Sequence, residues 1–316
     1  MSVRIVTDST ANLSPEQIDA HRLTVVTLCV IVDGVATAEV DLNLADFYRR
    51  LPEMNPLPTS SQPTVGTFRN TFNALLDEGD EVLGIFLSGG LSGTYETARM
   101  VATQVMAERP GAQIDIVDSK STSMALTYPV LAAAKAAEGG ATLKTCAQVA
   151  RQTVSCARFL FAPHSLEYLR RGGRIGRASA LLGSALKLVP VLGPENGVVY
   201  TWAKVRTFSK ALVAIKDRFL RDVEECGGLK HICVHYIADS ATAEKFRDNV
   251  IEPLTDLAVS FEPVSPVVGT HVGPAVGVAY QTFLPMIPEG GESGGRLNAL
   301  KEKVGEYVHR FERENG

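Results

Sequence analysis

Residues 81–94, EVLGIFLSGGLSGT, join an apolar run to a turn rich in glycine and hydroxyl groups. Glu81 to Leu87 has the length and composition of a buried strand, and Thr94 to Glu108 has the pattern of a helix. The turn between them, Ser88 to Thr94, therefore leads from a strand into a helix start. Free N–H groups and the positive end of the helix dipole favour a carboxylate or phosphate there.

Two interpretations of this turn remain open on residue chemistry alone. Its glycines let a ligand approach the backbone, and Ser92 and Thr94 add hydroxyl donors. A tight turn followed by a capped helix accounts for the same residues without a ligand. A nucleotide is not indicated, because the turn has neither the lysine of GxxxxGK[ST] nor the spacing of GxGxxG. Ser92 also lies outside any GxSxG motif.

The rest of the first half alternates predicted strands with amphipathic helices. The other predicted strands are Val3 to Thr7, Leu23 to Val32 and Ile114 to Val117. This alternation predicts an α/β fold with a mostly parallel sheet flanked by helices. Asp8-Ser9-Thr10 and Asp118-Ser119-Lys120 follow strands, as Ser88 does. We expect all three segments at one sheet edge, where such sheets bind ligands.

The second half predicts a second α/β domain with a mixed or antiparallel sheet, and Asn196-Gly197 is a hairpin signal. A chain of 316 residues commonly forms two domains. We place them at residues 1–160 and 161–285. Residues 286–316 predict a linker and an amphipathic helix, packed on its own domain or used as a dimer arm.

Composition excludes several classes of function. A net charge of −4 without a basic block argues against nucleic-acid binding. The apolar runs are too short for a membrane span, and the N-terminus is unlike a secretory signal. The five cysteines include no CxxC, which favours reduced thiols over disulfides or a metal site. We expect a cytoplasmic monomer or weak dimer with at most transient membrane contact.

Four further segments carry candidate polar groups, each with a structural explanation beside the functional one. Pro58 to Thr64 is a hydroxyl-rich turn that also serves as a helix cap. His271, predicted in a Gly/Pro turn, is either a ligand donor or satisfied by backbone. Arg206 is an acid-pairing group or a solvated charge. The segment Leu169 to Arg174 is a basic docking patch or a set of cations at a helix end.

These segments together resemble the DegV family, from Val3 to Tyr280. The motifs that carry the resemblance occur in order along the chain: Val6-Thr7-Asp8-Ser9-Thr10, Ser60-Ser61-Gln62-Pro63, Leu91-Ser92-Gly93-Thr94-Tyr95, Asp118-Ser119-Lys120, Leu166-Glu167-Tyr168-Leu169-Arg170-Arg171-Gly172-Gly173-Arg174-Ile175, Lys204-Val205-Arg206-Thr207 and His271-Val272-Gly273-Pro274. Each motif is weak alone, whereas seven in sequence are specific.

The resemblance implies two α/β domains (the EDD fold) that enclose one long-chain fatty acid in an apolar tunnel. It implies a carrier, not an enzyme, which needs no cofactor and presents the fatty carboxylate to a separate fatty acid kinase for acyl-phosphate formation. Leu181 to Leu192 is apolar enough to line that tunnel between the domains. The carboxylate ligands carried over by position are Ser60, Ser92, Gly93, Thr94, His271 and Arg206. Arg170 and Arg174 become kinase-docking residues, and Arg174 is alternatively a conformational residue.

The sequence departs from the family pattern at three places. Ser60 replaces the usual threonine and keeps a hydroxyl, Gly89 replaces the second serine of a pair, and Ala275 replaces the last glycine of GPG. Two alternative functions remain open. One is a serine acyl hydrolase that uses Ser92 as nucleophile and His271 as base. The other is a regulatory module that senses a small acid and signals through the tail helix.

Overall fold

The computed structural model describes residues 2–181 and 188–286. The strands are β1 (Val3–Asp8), β2 (Thr24–Val26), β3 (Cys29–Val32), β4 (Val35–Ala38), β5 (Thr59–Ser61), β6 (Glu81–Phe86), β7 (Ile114–Asp118), β8 (Ala157–Pro163), β9 (Val189–Glu195), β10 (Val198–Val205), β11 (Leu229–Ile237), β12 (Ser260–Pro263) and β13 (Ala275–Thr282). The α-helices are α1 (Pro15–Ala20), α2 (Leu44–Arg50), α3 (Val65–Asp77), α4 (Thr94–Glu108), α5 (Met124–Glu138), α6 (Leu143–Cys156), α7 (Glu167–Arg171), α8 (Phe208–Glu225), α9 (Ser240–Phe246) and α10 (Pro266–Val272). Short 3-10 turns occupy Glu39–Asp41, Leu51–Glu53, Gly176–Leu181 and Glu252–Leu254, and a π turn occupies Arg247–Ile251.

The first sheet is parallel throughout, in the order β2-β1-β6-β7. One of its faces packs on α5 and α6, and the other packs on α3 and α4. Local signals set the helix ends: Ser14 and Gln17 form the capping box that starts α1. The predicted α/β class, with a parallel sheet flanked by helices, is therefore confirmed.

The predicted sheet edge is also confirmed, because side chains there bond to backbone on neighbouring strands. Asp8 accepts hydrogen bonds from the Leu87 N–H at 2.7 Å and the Thr10 N–H at 3.0 Å. Asp118 accepts from the Gly89 N–H at 3.3 Å and from Lys120 Nζ at 2.8 Å. These bonds hold the loops after β1, β6 and β7 together.

The second large sheet has six strands in the order β10-β9-β8-β13-β11-β12. Its neighbours are antiparallel except for the parallel pair β11 and β12, which confirms the predicted mixed sheet. Asn196 and Gly197 have φ of 51° and 85° and form the predicted hairpin between β9 and β10. β8 begins at Ala157, close to the predicted domain division at residues 160 and 161. The domain boundaries themselves stay a prediction.

The prediction of one strand from Leu23 to Val32 is wrong. The chain breaks at Leu28, whose N–H donates to Ser9 Oγ at 2.9 Å and whose side chain is buried. β2 before the break belongs to the parallel sheet, whereas β3 after it forms a small antiparallel sheet, β4-β3-β5. An apolar run without periodicity does not reveal such a break. The break matters because β3 aligns β5, which carries Ser60.

A buried ion cluster supports the six-stranded sheet from its outer side. Asp222 on α8 contacts the guanidinium of Arg158 and accepts hydrogen bonds from Tyr280 Oη at 2.6 Å and Arg218 Nε at 2.9 Å. Both guanidiniums lie over the Trp202 ring, 4.2 and 4.5 Å from its centroid. The cluster links α8 to β8, β10 and β13.

Two sequence expectations fall partly or wholly outside the described residues. The predicted linker and helix are described only as far as residue 286, and residues 182–187 of the apolar run are likewise not covered. In the described ranges, no helix combines the length and apolarity that a membrane crossing requires.

Candidate functional site

A cavity with about 60 Å³ of free space lies between α10, the loop after β6 and strands β8 to β10. Most of its lining is apolar: Leu28, Leu87, Leu91, Phe159, Phe161, Leu169, Pro194, Val199, Val267, Val268 and Val272. The polar lining residues are Ser60, Ser92, Thr122, Arg174 and His271. Such a lining suits a ligand with a long apolar part and one polar group.

Ser60 and His271 form the closest polar pair in this cavity. Ser60 Oγ lies 2.7 Å from His271 Nε2, although the two residues are 211 positions apart in the chain. Ser60 is on β5, where it pairs with Val30 of β3. The predicted Gly/Pro turn around His271 is wrong: His271 is in the last turn of α10, because Pro266 starts a helix that continues to Val272.

The imidazole of His271 is held in its neutral form. Burial, the larger cause, and the charge of the nearby Arg174 together lower its pKa from 6.5 to about 4. Its Nδ1 is buried and has no hydrogen-bond partner among the residues that the structure describes. Gly172 lies directly against this ring, so a Cβ at position 172 would overlap Nδ1. The glycine after α7 therefore makes room for the histidine.

His271→Gln is expected to reduce the loss of stability in acid. An unfolded chain takes up the histidine proton near pH 6.5, whereas the folded state does so only near pH 4. The free energy of unfolding of the wild-type protein therefore falls by about 2 kcal/mol through this residue as the pH drops from 7 to 5. Urea unfolding of both proteins at the two pH values measures the difference. Parallel pH profiles would contradict the neutral assignment.

The loop that carries Ser92 satisfies most of its own N–H groups. The N–H groups of Leu91 and Ser92 both donate to Ser88 O at 3.0 Å, and the Gly90 N–H donates to Ser88 Oγ at 3.1 Å. The Thr94 N–H donates to Ser92 Oγ at 3.3 Å. Most of the backbone N–H groups that we expected to bind an anion are therefore already bonded to acceptors within the loop. The ligand-facing donor of this loop is the Ser92 hydroxyl.

Gly93 and Thr94 support Ser92 from behind. Thr94 is fully buried, and its Oγ1 lies 2.9 Å from Ser92 Oγ. A Cβ on Gly93 would overlap the side-chain amide of Gln62, which itself donates to Thr97 Oγ1 at 2.8 Å. Gly93 thus lets the loop of Ser60 to Pro63 pack against the Ser92 loop. Neither Gly93 nor Thr94 lines the cavity.

Ser88 faces the second sheet, away from the cavity lining. Its buried hydroxyl donates to Gly197 O at 2.6 Å, at the tip of the β9–β10 hairpin. A Cβ on Gly90 would overlap the same carbonyl. The opening residues of the turn therefore join the parallel sheet to the hairpin. Ser88 and Gly89 both lie outside the cavity lining, so the glycine at position 89 takes no hydrogen-bond donor of Ser88 away from the cavity.

Ser88→Ala is expected to lower the free energy of unfolding by about 1–2 kcal/mol, because it leaves the buried Gly197 carbonyl without its hydroxyl partner. Urea denaturation measures the change. Ser209→Ala, an exposed serine at the start of α8, is the matched control and should be close to neutral. Equal stability of the two variants would show that the contact contributes nothing.

The three predicted arginines occupy different surroundings. Arg174 lines the cavity, and its Nε donates to Leu91 O at 3.0 Å, beside Ser92. Arg170 is exposed on α7 and bonds bidentately to Glu167 at 2.8 and 2.6 Å. Arg206 is exposed just after β10 and does not line the cavity. The structure therefore brings together Ser60, Ser92, His271 and Arg174.

Glu39 is a buried group at this site that sequence reasoning missed. Its Oε2 accepts from the Val267 N–H at 2.9 Å, and its Oε1 bonds to the Ser9 hydroxyl. Burial, with a smaller contribution from the charge of Asp8, raises its pKa to about 6 against the opposing effect of its hydrogen bonds. Glu39 thereby fixes the start of α10, the helix that carries His271. In the sequence, Glu39 is marked only by being an acidic residue between apolar neighbours, and that pattern is too common to identify a functional group.

The catalytic pair of the hydrolase hypothesis is not formed. Ser92 bonds to Thr94 and His271 bonds to Ser60, so the nucleophile and base of that hypothesis are not paired. Within residues 2–181 and 188–286, no carboxylate bonds to His271 Nδ1 to orient the ring.

Comparison with known proteins places this chain in one family. Residues 2–282 match the family model described as "Uncharacterised protein, DegV family". A DegV domain-containing protein of Clostridium perfringens is 35% identical over 281 residues, 89% of this chain and 99% of the relative.

Two solved structures are also similar in fold and sequence. One is described as fatty acid binding of a DegV family protein from Thermus thermophilus. It has a TM-score of 0.77 and 28% identity, and the match covers 90% of this chain and 100% of that one. The other is described as DegV, a fatty acid binding protein from Bacillus subtilis, with a TM-score of 0.77, 27% identity and coverage of 89% of this chain and 99% of that one. The chain belongs to the DegV family.

Proposed function

We propose that this protein binds one long-chain fatty acid and presents its carboxylate to a separate fatty acid kinase. The observation that carries the proposal is the cavity itself, which is apolar except for a few polar side chains that converge near Ser60, Ser92 and His271. The similar proteins of Thermus thermophilus and Bacillus subtilis are described as fatty-acid-binding, which supports the same ligand here.

In this proposal the two parts of the cavity have different tasks. Burial of the acyl chain contributes about 0.8 kcal/mol per CH2 group and supplies most of the affinity. The polar groups set which end of the ligand faces out. When His271 Nε2–H donates to Ser60 Oγ, the Ser60 hydroxyl proton is free to bond a carboxylate oxygen. The Ser92 hydroxyl and the Arg174 guanidinium complete the acid-binding end.

The chemistry would belong to the partner. A carboxylate oxygen attacks the terminal phosphorus of ATP held by the kinase, giving acyl phosphate and ADP. This chain contains no GxxxxGK[ST] loop of its own. Its task is to keep the acyl chain out of water while the carboxylate is exposed.

Mass spectrometry of the purified protein under denaturing conditions tests the binding step. We expect the release of one fatty acid per chain, or uptake of one added palmitate. Protein that stays empty after incubation with palmitate and oleate would exclude the proposal.

Ser92→Ala separates presentation from binding. We expect it to slow acyl-phosphate formation by a kinase at least tenfold while palmitate retention falls less than threefold, because the apolar cavity is unchanged. Hydroxylamine trapping measures the product, and mass spectrometry measures the retained lipid. Equal loss of both would contradict this division. Ser209→Ala is the exposed control.

A further inference from the structure

A second cavity lies at the other end of the same six-stranded sheet. It has a volume of about 530 Å³ and is open to solvent between α1, α5 and the strands β11 to β13. It shares no lining residue with the cavity at Ser60 and His271. The two linings come near each other at the start of α5, where Thr122 lines the first cavity and Met124 lines the second. We call this second cavity the lysine cleft.

Positive charge is concentrated in the lysine cleft. Lys135 of α5, Lys230 of β11 and His231 line it, and neither lysine makes an ion pair within residues 2–181 and 188–286. Burial lowers the pKa of His231, and Lys230 and Lys135 lower the pKa further, so both cations act on this ring. The carboxylate at the rim, Glu138, is engaged by His21 Nδ1 at 2.6 Å.

The remaining walls of the lysine cleft are suited to an apolar body. Tyr128 and His231 stack with ring centroids 5.5 Å apart and an interplanar angle of 18°. Met124 and Leu131 line the same space. Tyr128 Oη already donates to Ala279 O at 3.2 Å, so its ring presents carbon atoms to the cleft. Cationic groups beside an apolar wall are complementary to an amphiphilic anion.

We propose that the lysine cleft binds a small amphiphilic anion, in which an aromatic body carries a phosphate or sulfonate group. The charged group lies between Lys135 and Lys230, and the body packs on Leu131 and the Tyr128–His231 stack. This site is separate from the fatty-acid cavity and does not depend on the function proposed for it.

Titration with 1-anilinonaphthalene-8-sulfonate in the presence of excess palmitate tests the site. We expect one saturable site that the double variant Lys135→Ala/Lys230→Ala weakens about tenfold, since two nearby cations are removed. Lys210→Ala/Lys245→Ala, which removes two exposed lysines from α8 and α9, should bind like wild type. N-phenyl-1-naphthylamine lacks the sulfonate, so it should bind the two double variants with equal affinity.

Two outcomes would overturn the proposal. One is equal affinity of the two double variants for the sulfonate, and the other is complete displacement of the dye by palmitate. Leu131→Glu, which adds a carboxylate to the wall, should abolish dye binding, and retained binding would also contradict the site. Mass spectrometry of the same samples reports bound palmitate, so a failure of fatty-acid binding is recognised separately.

Discussion

Shortening the fatty acid from sixteen to twelve carbons is expected to weaken binding about 200-fold. Four CH2 groups at about 0.8 kcal/mol each amount to about 3 kcal/mol, which corresponds to that ratio of dissociation constants. The wall around Phe159, Phe161 and Leu169 is apolar, so each methylene leaves water without meeting a polar group. Competition against a fluorescent fatty acid, below the micelle concentration, measures the series. A flat series would contradict an acyl-binding cavity.

A matched pair of variants locates this effect in the cavity. Val268→Asp places a carboxylate on the cavity wall and should weaken all chain lengths at least tenfold. Val213→Asp makes the same change on the exposed face of α8, where Val213 is 49% exposed, and should leave the affinities unchanged. Hexadecanol lacks the carboxylate. Its binding free energy should therefore keep the contribution of the apolar chain and lose the contribution of the polar end of the cavity.

Asp222→Ala is expected to lower the free energy of unfolding by about 3–5 kcal/mol, because it leaves a buried arginine without its counter-charge. Arg158 is 5% exposed and Asp222 is 2% exposed, so water cannot replace the carboxylate. Tyr280 also loses the acceptor of its hydroxyl proton. Urea denaturation followed by circular dichroism measures the change.

Asp217→Ala is the control for this substitution. Asp217 lies on the same helix, but its side chain is 59% exposed and its partner is the neighbouring Lys216. An exposed pair of this kind contributes little, so we expect a change within about 0.5 kcal/mol. If both substitutions had equally small effects, the cluster around Asp222 would not be a stabilising element.

Local signals predicted elements correctly wherever a few adjacent residues control the backbone. Ser14 and Gln17 start α1, Thr94 to Glu108 is a helix, and Asn196-Gly197 turns a hairpin. The shared edge of Asp8, Ser88 and Asp118 was predictable because parallel strands end on the same side. The break at Leu28 was not, since it depends on a hydrogen bond to Ser9 and on burial of the side chain.

The sequence predicted which residues form the site better than it predicted the contacts between them. Ser60, Ser92 and His271 were identified by resemblance, and all three line one cavity. The docking or conformational role predicted for Arg174 stays a prediction, and the structure places Arg174 in the cavity lining beside Ser92. Arg206, predicted as a carboxylate ligand, is exposed outside that lining. Whether an arginine points inward depends on how the loop after α7 packs, and nearby residues do not encode that direction.

Turn chemistry and the pattern of apolar residues were enough to establish the class of fold and the strand-to-helix turn at Ser88 to Thr94. They did not establish that Ser88 bonds to Gly197, or that Ser60 meets His271 from 211 positions away. The physical reason is range: caps, hairpins and helix periodicity arise from interactions within a few residues. Contacts between distant side chains exist only after the two large sheets and α10 have packed, and those contacts form the cavity.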